Sequence, residues 1–123
     1  MKPVRDLIRK VVEEENFGEF DTERVVDFIE KYTARYKGRY LFDNVMSKHT
    51  GITELQALHV LCELRNNGVM TEEFRLICNN CFHPDNNTVT ESNEEIIRIK
   101  EDFECNNCSN TGAYIQLMYR FKE

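Results

Sequence analysis

The chain lacks the features on which the commonest enzymes are built. It has no glycine-rich phosphate loop, no nucleophile elbow and no H-E-x-x-H pair, and only 3 histidines could serve as bases. No apolar run approaches the length of a bilayer span. Met1-Lys2-Pro3 leads straight into a charged amphipathic stretch rather than a signal peptide. Excess positive charge is missing as well. With 16 Lys+Arg against 22 Asp+Glu, the formal charge is -6, which speaks against an overall electrostatic grip on nucleic acid. These absences predict a protein that is not an enzyme, is cytoplasmic and makes no use of a membrane.

What remains is enough for a core. The 123 residues are 41% hydrophobic and 31% charged, which suits one compact domain or a domain with a small appendage. The only internal repeat is short and chemically specific. Cys78-Asn79-Asn80-Cys81 recurs as Cys105-Asn106-Asn107-Cys108. Two thiolates two residues apart can close on one ion, and a second such pair completes a tetrahedron. In a reducing compartment, paired cysteines favour metal over disulfide. Cys78, Cys81, Cys105 and Cys108 are therefore the expected ligands of a structural Zn²⁺ with no bound water. Two disulfides, or inert thiols, are the competing readings. His83 is the one nearby histidine able to replace a cysteine ligand. Cys62 reads as a small buried hydrophobe on a helix.

Along the chain, Val4, Leu7, Ile8, Val11 and Val12 make one apolar stripe on a first helix, with Pro3 in its first turn. Asp21 is the expected cap of a second helix, with Phe20 and Val25 as a hydrophobic staple and Gly38 as its end. A short third helix is expected from Tyr40 to His49. Thr53 with Gln56 forms a capping box for a fourth, whose apolar face is Leu55, Leu58, Leu61, Cys62 and Leu64. Beyond Gly68 the period changes to two. Phe74, Leu76 and Cys78 define one strand, and Ile97, Ile99, Phe103 and Cys105 a second. Ala113, Ile115, Leu117, Tyr119 and Phe121 define the last, with a polar loop from His83 to about Asn93.

The fold class this predicts is α+β, with N-terminal helices followed by a small antiparallel sheet that carries the cysteines. The run from Tyr40 to Met70, with Thr50-Gly51-Ile52 as its turn, resembles a winged helix-turn-helix. Cys78 to Cys108 resembles a zinc ribbon inserted where the wing would be. The resemblance implies an extra helix over 1–20, a winged-helix core over 21–77, and a ribbon with a final strand over 78–123. The ribbon departs from its family's pattern at the residue after each second cysteine. Phe82 and Ser109 stand where glycine is usual, and the knuckle asparagines are expected to supply the left-handed backbone instead.

The partner is harder to read. The N-terminal half of the fourth helix offers Glu54 and Gln56 and no cation with which to meet base edges. From Asp85 to Glu104 there are seven acids against Arg98 and Lys100, a solvated face that would repel phosphate. Lys31, Arg35, Lys37, Arg39 and Tyr40 belong to the one stretch where cations alternate with tyrosines. That pattern can hold a phosphate backbone and stack bases, or can simply suit a helix C-terminus. Winged helices without a basic reading face commonly dock onto proteins, so the resemblance implies a protein-binding adaptor or regulatory subunit. A DNA-binding regulator of the same fold is the alternative, and redox sensing through the cysteine pairs is a third. The first helix is a candidate homodimer or partner contact, or else closes the core.

Overall fold

A computed structural model of the chain describes residues 2–36 and 38–122, without the side chains of residues 2–4. Pro3, Val4 and Lys37 of the sequence reading therefore lie wholly or in their side chains outside the described residues. The class is α+β, in the order α1 (Lys2–Glu13), α2 (Glu19–Arg35), β1 (Tyr40–Leu41), α3 (Asp43–Thr50), α4 (Glu54–Asn66), β2 (Met70–Cys78), β3 (Pro84–Thr90), α5 (Asn93–Glu101) and β4 (Ala113–Phe121). The strands form one sheet in the order β1-β4-β2-β3, and β1 on β4 and β2 on β3 are both antiparallel. The chain divides into two compact units. One comprises Met1–Thr71 and Tyr119–Glu123, the other Glu72–Met118. No described helix is long and apolar enough to cross a membrane.

The first unit is a helical core. Ile8, Val11 and Val12 of α1 are buried with Val25, Val26 and Ile29 of α2, so the stripe read from the first helix does pack inward. On α4 the buried stripe is Ala57, Val60, Leu61 and Leu64, at i, i+3, i+4 and i+7. That is a correction to the expected face. Leu55 is 77% exposed and Cys62 only half-buried, because the stripe begins at Ala57 rather than at the first leucine. The Thr53 capping box forms as expected. Its hydroxyl accepts from Gln56 N at 3.0 Å, and Gln56 Oε1 accepts from Thr53 N at 2.9 Å. Between α3 and α4, Gly51 takes φ = 83°, which only glycine adopts without cost, and its N–H closes α3 on Ser47 O. A Cβ there would lie 3.1 Å from Arg24 Nη1, which is already bonded to Thr50 O.

Two further boundaries differ from the reading. The second helix starts at Glu19, before Asp21, because Gly18 at φ = 90° turns the chain early and its carbonyl accepts from Thr22 N. Phe20 is thus no staple: it is 72% exposed beneath the Arg24 guanidinium. The third helix begins only at Asp43, since Tyr40 and Leu41 pair instead with Arg120 and Tyr119 of β4.

The second unit departs furthest from expectation. The stretch read as a polar loop contains β3, which pairs with β2 at Phe74–Thr90 and Leu76–Asp85 across an irregular register. The stretch read as a strand is α5. Ser92 caps it by accepting from Glu95 N at 3.1 Å. Glu94 and Glu95 in the first turn and Arg98 and Lys100 in the last suit its dipole. Only Ile96 of this helix is buried, while Ile97 is 48% exposed. In β4 the inward face also changes, with Leu117 exposed while Met118 is buried.

Candidate metal centre

The two C-N-N-C quartets close as matching turns. Cys78 N donates to His83 O at 3.1 Å and Phe82 N to Cys78 O at 2.9 Å. In the second turn Cys105 N donates to Asn110 O and Ser109 N to Cys105 O, both at 2.8 Å. Each turn aims its two sulfurs at a common point. Phe82 and Ser109 sit in the left-handed region at φ = 60° and 63°. The expectation that the knuckle asparagines carry that conformation is therefore corrected: the residue after the second cysteine carries it, as the turn demands, although neither is glycine. Phe82 is 67% exposed and Ser109 is exposed, so their side chains are not needed for packing. Phe82→Gly and Ser109→Gly are each expected to stabilise the chain by about 0.5–1 kcal/mol, less than the full left-handed penalty because glycine gives up more entropy on folding. A denaturant midpoint that falls for both would contradict this.

The four sulfurs lie within 4.8 Å of one another. The short approaches run between the knuckles, Cys78 to Cys108 at 3.5 Å and Cys81 to Cys105 at 3.6 Å, and every cysteine is a free thiol. A tetrahedron of sulfurs about 2.3 Å from a central ion has edges of about 3.8 Å, so the observed spacing fits a closed four-thiolate metal site. The surroundings fit as well, because N–H groups point at the sulfurs, as suits negative charge. Asn107 N reaches Cys105 Sγ at 3.4 Å, and the side-chain amides of Asn80, Asn107 and Asn110 reach Cys108, Cys81 and Cys78 at 3.6, 3.5 and 3.7 Å. Hydrogen bonds and burial together separate the thiols electrostatically. The backbone N–H of Cys81 leads in pulling the Cys78 thiol down to about 6, whereas burial pushes Cys105 up to about 11. The Asn107 amide lowers Cys81.

Asn110 and Gly112 brace the site and were not picked out by spacing alone. Gly112 O accepts from Asn79 N and from Asn110 Nδ2, and Asn110 also donates to Asn79 Oδ1 at 2.9 Å. A Cβ at Gly112 would come within 2.7 Å of the Asn79 amide, so only glycine permits this approach. Both lie outside the two quartets, whose identity is the only hint the sequence carries and points to the asparagines within them. His83 gives the site its carbonyl and stands outside the sulfur cluster.

The other predicted contacts gather only in part. Lys31 pairs with Asp27 at 2.9 Å on α2. The guanidiniums of Arg35 and Arg39 lie 5.5 and 5.7 Å from the centre of the Tyr36 ring, and Arg120 lies 5.7 Å from that of Tyr40. Tyr32 donates its hydroxyl to Tyr40 O at 2.8 Å. His49 stacks on Phe28, and His59 pairs with Glu15. No family model, curated protein or solved structure matches the chain.

Proposed function

We propose that the chain is a non-catalytic adaptor or regulatory subunit, a winged helix stabilised by a structural Zn²⁺, that docks onto a protein partner in a multi-protein system. The order α2, β1, α3, turn, α4, β2 supports the winged-helix reading, with α4 in the place of the reading helix. One observation carries the choice of a protein partner. The first turn of α4 presents Glu54 and the 77% exposed Leu55, while Gln56 Oε1 accepts from Thr53 N in the capping box. That turn carries no cation for a phosphate or a guanine edge, which favours a protein surface over a duplex.

The second reading, a DNA-binding regulator, rests on the exposed Arg35 and Arg39, whose guanidiniums both lie close to the half-buried Tyr36 ring. A gel shift on random duplex at low salt separates the two, using wild type and the Arg35→Ala/Lys37→Ala/Arg39→Ala variant. Salt-sensitive binding lost in the variant makes the chain a regulator. No shift at low salt leaves the adaptor, which is then tested by co-purification with the products of neighbouring genes and by loss of that partner in Leu55→Lys.

Zinc binding carries a pH signature of its own. Metal must displace the proton from Cys105, whose thiol is held at about 11, so affinity rises as pH rises. Between pH 7 and 9 that residue alone contributes about tenfold per pH unit. Below about 6, Cys78 is protonated as well and the dependence steepens further. Competition with a chromogenic chelator across this range measures the slope, and a flat profile would contradict the assignment.

A further inference from the structure

Asn80 and Asn107 hold the same place in the two quartets, and each reaches out of its own knuckle into the other. The Asn80 amide lies 3.6 Å from Cys108 Sγ and the Asn107 amide 3.5 Å from Cys81 Sγ. The sulfurs they meet are the pair that faces solvent: Cys108 is exposed and Cys81 half-buried, while Cys78 and Cys105 are buried. An outward lone pair on a metal-bound thiolate is where an electrophile or oxidant attacks. An N–H placed on it draws off charge and occupies that approach. The other two asparagines of the quartets do not share the task. Asn79 is held by Asn110 and Gly112, and Asn106 is exposed, with no hydrogen bond to sulfur among the described contacts.

We propose that Asn80 and Asn107 are reciprocal positioning residues of the metal centre. Each locks its knuckle onto the far one and blunts the outer thiolate it touches, making the centre a closed, exchange-resistant support instead of a peroxide- or electrophile-responsive switch. This rests on reading the four-cysteine cluster as a metal centre. It also accounts for the asparagine at the third position of both quartets, since two-fold exchange of donors needs one in each.

The test uses the full chain loaded with Co²⁺, whose thiolate charge-transfer band reports on sulfur and whose visible bands report on geometry. Asn80→Asp and Asn107→Asp keep the side-chain shape but replace the donor by an anion. Both are expected to retain tetrahedral visible bands, to move the charge-transfer band to lower energy, and to bind metal about 10- to 100-fold more weakly. Under N-ethylmaleimide they should release metal correspondingly faster, with the first alkylated residue Cys108 in Asn80→Asp and Cys81 in Asn107→Asp. Asn106→Asp adds the same charge without a bond to sulfur and should match wild type. Should an aspartate variant fail to fold, the alanine variants take its place, with the same direction expected. Spectra and release rates equal to those of Asn106→Asp would overturn the proposal while leaving the metal centre intact. Failure of wild type to take up Co²⁺ would remove the metal centre itself, and the proposal with it.

Discussion

Replacing Cys78 or Cys105 by serine is expected to unfold the unit from Glu72 to Met118 while the helical core of the first unit persists. The buried apolar cluster of the cysteine unit has seven members, Phe74, Leu76, Cys78, Ile96, Phe103, Cys105 and Ala113, against seventeen in the first. Two of the seven are the thiols themselves. The remaining five bury too little to order strands, a capped helix and two knuckles by themselves. A structural zinc contributes about 10–16 kcal/mol, far more than any single side chain here, and it closes the 24-residue separation between Cys81 and Cys105. A serine hydroxyl at a buried ligand position forfeits most of this. Hydrogen exchange reads the outcome by segment: amides of β2 beyond Thr71, β3 and α5 lose protection, and those of α2 and α4 keep it. Uniform protection in the serine variant would show that sulfur ligation is not what orders this unit.

The second large effect falls on α4. Leu61→Ala removes a side chain that is 0% exposed and surrounded by the main core, and should cost about 3–4 kcal/mol through lost burial and the cavity left behind. Leu55→Ala, six residues earlier on the same helix, should change stability by less than about 0.5 kcal/mol because it faces solvent. Denaturant midpoints of the two variants make the comparison. Equal losses would mean that the helix presents a different face to its core.

That contrast shows where the sequence was readable. The four cysteines could be found because two-residue spacing is local and leaves one geometry for the sulfurs. The capping box at Thr53 and Gln56 was readable for the same reason. Leu55 was misplaced because leucine is hydrophobic on either side of a helix, and only packing decides where the stripe begins. Ile97, Ile99, Phe103 and Cys105 alternate by accident: Ser92, Glu94 and Glu95 carried the helix signal, and the helix uses Ile96 as its single buried anchor. β3 was invisible in Pro84–Thr90, a polar run that becomes a strand only because β2 offers it a partner. At the centre, residue identity gave the four clustered cysteines but hid the second layer. Asparagine was read as a backbone-tolerant residue, whereas Asn80, Asn107 and Asn110 act through their side-chain amides, and Phe82 and Ser109 bear the left-handed turns.

The most direct measurement is the metal content of the purified full chain by native mass spectrometry, before and after a strong chelator. The account predicts one zinc per chain with four thiols protected from alkylation, and loss of order between Glu72 and Met118 once the ion is stripped. A chain that carries no metal, offers all four thiols to alkylation and keeps its fold regardless would contradict it.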